Sequence, residues 1–72
     1  MDKEEFMKRF TKEQVIQQVE KLPEKVKLVL SLHWYERLSF GEISKIIERS
    51  EAHVKSAHDK AVENILKGLT AI

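Results

Sequence analysis

The sequence predicts an all-α fold, a small helical bundle of four to five helices, on three observations. Its 72 residues contain one proline and two glycines (Pro23, Gly41 and Gly68), so little interrupts a helix. Apolar residues recur at helical rather than alternating spacing along most of the chain. Two hydroxyl residues, Thr11 and Ser39, stand before apolar runs with Gln14 or Glu42 three residues on, the pattern of a capping box.

The stretch "MDKEEFMKRF" places Phe6, Met7 and Phe10 on one side of a short helix, and residues 1–14 read as an N-terminal helical extension. Thr11 and Gln14 open "KEQVIQQVEKL", in which Val15, Val19 and Leu22 share a face. Pro23 suits a first helical position, where its missing N–H would be unpaired anyway. The helix it starts has two apolar sides. At about 100° per residue, Val26, Val29, Leu30, His33 and Trp34 cluster together, with Leu28, Leu32 and Tyr35 opposite. The first side is expected in the core, and the second needs the N-terminal helices or a partner to cover it.

Ser39 and Glu42 cap a short helix with Phe40, Ile43, Ile46 and Ile47 expected to point inward. Ser50 is the expected N-cap of the last helix, and Glu51 in its first turn suits the positive end of the helix dipole. Val54, Ala57, His58, Ala61, Ile65 and Leu69 form its expected buried stripe. Gly68 is expected to end that helix. The main domain is thus 15–69, with 70–72 a frayed tail.

Seventy-two residues make a single small domain, which buries only roughly 60% of its unfolded surface, so partner contacts can matter to it. Apolar residues at 42% suffice for a core, and charged residues at 35% solvate the exterior. The net charge of +1 is far from a strongly basic domain, so nucleic-acid binding would need a local arrangement of charge. The chain has no cysteine, hence no disulfide framework or thiolate metal site. No apolar run reaches the ~20 residues of a membrane span, and the acidic start is unlike a signal peptide; a cytoplasmic protein without membrane contact is expected. His53 and His58 stand about 140° apart round a helix and cannot chelate one metal from one face. No nucleophile–base pair, phosphate-cradling loop or carboxylate cluster is present, so no enzyme, no metal and no cofactor are expected.

A capped helix, a tight break at Glu48-Arg49 and a second capped helix with small exposed residues follow helix-turn-helix logic. Together, "LPEKVKLVLSLHWYERLSFGEISKII" and "SEAHVKSAHDKA" resemble region four of bacterial sigma factors. The matching residues are Leu22-Pro23, Val29-Leu30, Trp34 to Glu36, Leu38-Ser39, Glu42-Ile43 and Lys60-Ala61. The ending "AHDKA" is most similar to the flagellar branch. The resemblance spans about Val19 to Leu69.

That resemblance implies recognition of the minus-35 promoter element in the major groove, docking on the RNA polymerase β flap, and possible control by an anti-sigma factor. Carried over by position, Glu51, Ala52 and Ser56 would face bases. His53, Lys55 and Lys60 would lie towards phosphates, Arg49 beside the turn, and Ser39 at a helix N-terminus facing a phosphate. Leu28, Leu32 and Tyr35 would form the partner-binding face. The sequence departs from the family at Arg49, where an apolar residue is usual, and at Glu48, where glycine is usual. Its last helix has no arginine, and its three lysines are balanced by Glu51, Asp59 and Glu63, so the bidentate guanine contact is missing and weak reading by this helix alone is expected. No stretch corresponds to the module that reads the minus-10 element, so the chain reads as one part of a sigma factor or a stand-alone relative. Two alternatives follow: a protein-interaction module that mimics region four with little DNA binding, or an autonomous homodimeric helix-turn-helix repressor.

Overall fold

A computed structural model describes residues 3–70, apart from the side chains of Lys3, Phe6 and Met7. Five helices follow in order: α1 (Lys3–Arg9), α2 (Lys12–Glu20), α3 (Glu24–Trp34), α4 (Phe40–Ile47) and α5 (Glu51–Thr70). The expected packing of Phe6 and Met7 lies outside the described side chains, while Phe10 packs on the edge of the core.

The starts of α2 and α4 arise from their caps. Thr11 Oγ1 accepts from the Gln14 N–H at 3.2 Å, and Gln14 Oε1 accepts from the Thr11 N–H at 2.9 Å. Two donors that a helix end leaves unpaired are therefore satisfied reciprocally. Pro23 occupies the N-cap of α3 and not its first helical position. Its ψ of 147° is extended, and its carbonyl accepts from the Lys27 N–H at 2.9 Å. Lys27 also reaches back to Glu20 at 3.2 Å, tying the end of α2 to α3.

Two apolar clusters hold the bundle. The larger joins α2, α3 and α5 through Val15, Val19, Leu22, Leu30, Trp34, Ala61, Val62 and Ile65. The smaller joins α3, α4 and α5 through Val29, Ile43 and Val54, edged by half-buried Leu32, Leu38, Phe40, Ile47 and Ala57. Leu30, Ile43, Ile65, Val15 and Val54 are fully buried. At about 1.5–3 kcal/mol each, such side chains supply the favourable term that opposes chain entropy. α5 runs through both clusters as a spine about 30 Å long.

Four expectations change. Ile46 points outward, 58% exposed, because it lies about 60° outside the arc of Phe40, Ile43 and Ile47 and nothing covers α4 there. Leu32 turns the other way: it sits about 60° from Val29 and is drawn into the smaller cluster, leaving Leu28 and Tyr35 as the exposed residues of that side of α3. Val62 joins the buried stripe of α5. Gly68 does not end α5, which continues to Thr70; it lies against the end of the Gln18 side chain of α2, which a Cβ at this position would displace. Thr70 is therefore helical, and residues 71 and 72 lie outside the described chain.

Candidate nucleic-acid interface

The helix-turn-helix is assembled from three local devices. At its start Ser39 Oγ accepts from the Glu42 N–H at 3.1 Å, and the Glu42 carboxylate accepts from the Ser39 N–H at 3.0 Å. That backbone donor, aided by the Ser39 side chain and Lys45, holds the Glu42 carboxyl below the usual carboxylate range. In the middle the chain turns without glycine. Glu48 takes the left-handed conformation itself (φ 56°, ψ 45°), and the N–H groups of Glu48 and Arg49 both donate to the Ser44 carbonyl. A side chain in that conformation costs about 1–2 kcal/mol. At the second start Ser50 Oγ accepts from the His53 N–H at 3.1 Å and the Ser50 carbonyl from the Val54 N–H at 3.1 Å. Ser50 thus caps α5.

These devices set α5 so that Val54 and His58 face inward while its first two turns present the other side to solvent. Ser39, Arg49, Glu51, Ala52, His53, Lys55, Ser56 and Lys60 are all exposed. They do not form one patch. Ala52, His53, Ser56 and Lys60 share the outward face of α5, whereas Lys55 lies on its flank. Glu51 leans the other way, towards α4, with its carboxylate oxygens 3.8 Å from where a side chain on Gly41 would begin. It therefore places negative charge beside the N-terminal turn of α4, where Ser39 was expected to present amides to a phosphate.

One feature has no counterpart in the periodicity of any single helix. A groove of about 470 Å³ runs between α3 and the first half of α5. Its floor is apolar: Val26, Leu28, Val29, Ile47 and Ala57. Its walls are Lys25, Arg49, His53, Ser56 and Lys60, with no carboxylate among them. The groove brings Leu28 together with Arg49, His53, Ser56 and Lys60, and leaves Tyr35, Lys55 and Ser39 outside. Lys25 joins the cationic wall although nothing in the pattern of α3 distinguishes it from a solvated lysine.

A ring cluster, buried at Trp34 and His58 and half-buried at His33 and Phe40, links α3, α4 and α5. Trp34 Nε1–H donates to His58 Nε2 at 3.1 Å, so the neutral His58 ring carries its proton on Nδ1, 3.3 Å from Asp59 Oδ1. His33 stacks on Phe40 with centroids 4.5 Å apart, meets His58 edge-on at 4.9 Å, and donates from Nδ1 to the Leu38 carbonyl at 2.8 Å. Burial pushes His58 below the ordinary histidine value of 6.5; Asp59 opposes the shift and His33 adds to it. Among the described residues no group of three His, Cys, Asp or Glu side chains is placed to hold a metal, and no helix is long and apolar enough to cross a membrane.

Residues 19–67 match the family model "Sigma-70, region 4". The chain is 35% identical over 54 residues to the RNA polymerase sigma factor FliA of Yersinia enterocolitica, covering 75% of this chain and 24% of that protein. It is equally similar to FliA of Escherichia coli K12, with 23% of that protein covered, and 33% identical to FliA of Salmonella typhimurium, again over 75% of this chain and 23% of the relative. The chain thus spans about a quarter of the length of these curated relatives. No solved structure matches it. The matched segment runs from the end of α2 through the helix-turn-helix to Lys67, and the chain belongs to the sigma-70 region 4 family, in its flagellar branch.

Proposed function

We propose that the domain acts in transcription initiation by reading the minus-35 promoter element with the first half of α5 while α3 docks on the β flap of RNA polymerase. The observation that carries this is the placement of α5 by its Ser50 cap. Ala52 and Ser56 are held outward for base edges, and His53, Lys60 and Arg49, with Lys55 on the flank of α5, are placed for phosphates. Exposed Leu28 and Tyr35 on α3 are the proposed flap contacts. Alanine and serine offer methyl contact and single hydrogen bonds, so phosphate pairing supplies most of the affinity and polymerase contact the rest.

The test is a salt titration of the domain on duplexes with and without a minus-35 element. Binding is expected near the non-specific range of about 10⁻⁴–10⁻⁶ M, tighter on the element, and steeply salt-dependent. Lys55→Ala and Lys60→Ala should each weaken binding to all sequences and lower the salt slope by roughly one. Two unaltered titrations would overturn this assignment of the DNA face.

A further inference from the structure

We propose that His58 is the positioning residue of the DNA-reading helix: its bare Nε2 fixes the rotation of α5 against α3, and a proton on that nitrogen loosens promoter recognition. The effect on recognition rests on the DNA reading above; the setting of the helix does not.

His58 differs from the other buried residues of α5. Val54, Ala61, Val62 and Ile65 are apolar, and apolar burial has no preferred direction. His58 instead accepts a buried hydrogen bond from Trp34 of α3, 24 residues away in sequence. Such a bond weakens steeply when its angle is lost. The rest of the ring is held as well. Asp59 Oδ1 stands 3.3 Å from Nδ1 and keeps the proton there, while His33 and Phe40 pack on the ring at centroid distances of 4.9 and 5.2 Å.

The bond on the inner side aims the outer side. Ser56 and Lys60 stand two residues either side of His58, each about 200° round the helix from it. At about 5–6 Å from the axis, a rotation of about 15° carries a side-chain tip about 1.5 Å. That is enough to lose the single hydrogen bond that serine offers a base edge. Lysines, acting on phosphates as point charges on flexible stems, tolerate it.

A proton undoes the arrangement. Neutral His58 already carries its one proton on Nδ1, so a second enters at Nε2. Indole N–H is a donor only, so two N–H groups then face each other where one bond of 3.1 Å stood. Turning the ring over gives no relief, because both nitrogens of the cation are donors. Among the described residues, the titratable groups facing the ring are His33 of α3 and Asp59 of α5 itself, and α4 contributes Phe40. Burial and His33 disfavour the cation, Asp59 favours it, and the net shift is downward.

The experiment follows the 72-residue chain from about pH 7.5 to about 5.5, binding a minus-35 duplex and a scrambled one. On acidification the preference for the element is expected to fall about fivefold, the worth of one hydrogen bond, while affinity for the scrambled duplex does not fall. His58→Gln, which offers an amide oxygen as an acceptor that takes up no proton in this range, should keep the preference and lose its pH dependence. His58→Leu, without an acceptor, should lack the preference throughout while retaining its helical signal. A native preference constant with pH would overturn the proposal, as would a pH dependence surviving in His58→Gln or a full preference in His58→Leu. Equal losses on both duplexes would also overturn it, as simple unfolding. The amide resonances of Ala52 and Ser56 in the free chain separate the two readings. If no duplex is preferred, yet these resonances move with the His58 titration in the native chain and not in His58→Gln, the setting of α5 stands and the promoter reading falls. Resonances that stay fixed would overturn the setting itself.

Discussion

The two apolar clusters differ in what they support. The cluster between α2, α3 and α5 buries eight side chains, Trp34 among them, and contains no residue of α4 or of the turn that follows it. The cluster under α4 buries three, Val29, Ile43 and Val54, and completes itself with half-buried neighbours. The part of the fold that positions α4 against α5 is therefore the more weakly anchored. Local opening free energy follows buried apolar contact, so α4 should open before the rest of the bundle does. A helix on the less stable side of a domain can shift without unfolding its scaffold.

The largest expected effect tests the larger cluster. Leu30→Ala should destabilise the whole domain by about 3 kcal/mol, near the middle of the range for buried leucines, with one cooperative loss of helical signal on denaturation. Its counterpart is Ile43→Val, expected at about 1 kcal/mol. Hydrogen exchange should then accelerate in α4 and at the start of α5 while amides of α2 stay protected. Uniform acceleration would show that the two clusters open as one.

The turn offers a change of opposite sign. Glu48 holds a left-handed conformation that glycine adopts freely, so Glu48→Gly should stabilise by about 1 kcal/mol, read as a higher denaturant midpoint. Ser50→Ala should lower the midpoint by about the same amount through loss of the α5 cap. A midpoint unmoved by Ser50→Ala would mean that capping by the Ser50 hydroxyl adds nothing to the stability of α5.

Acid should separate the clusters at their junction. His58 accepts from Trp34 of the larger cluster and touches Phe40 at the edge of the smaller, with His33 and Asp59 as the titratable groups facing it. Its native pKa lies below 6.5, so between that native value and 6.5 the unfolded chain binds more protons. Stability is accordingly complete above 6.5 and declines as pH falls from 6.5 towards the lowered native value. Denaturant midpoints measured across this window should fall on acidification, and His58→Leu should flatten that decline. An equal decline in His58→Leu would assign it to other groups.

Much of the fold was legible because its signals are local. The Thr11–Gln14 and Ser39–Glu42 boxes and the Ser50 cap each depend on residues three apart, and each forms at the expected place. Errors arose where a residue sits at the margin of an apolar arc. Ile46 and Leu32 each lie about 60° from a buried neighbour, and only the presence or absence of a facing helix decides between them. Gly68 misled for a related reason: a glycine that ends a helix and one that stands inside its last turn look alike in sequence. The groove was the least legible feature, since it depends on how far α3 stands from α5. The pattern of α3 separated Leu28 from the cations of α5, and only their packing unites them.

The hydrogen bond between Trp34 and His58 has an experimental consequence. Trp34 is the chain's one tryptophan, 5% exposed, and it reports on the seam between the two clusters. Opening that seam would wet the indole and redden its emission, without any label. Trp34 lines no part of the α3–α5 groove, so a ligand seated there should leave the emission nearly constant. The molecule thus carries an optical gauge that registers loosening of its interior and stays quiet to occupancy of its surface, and the two events can be followed separately in one cuvette.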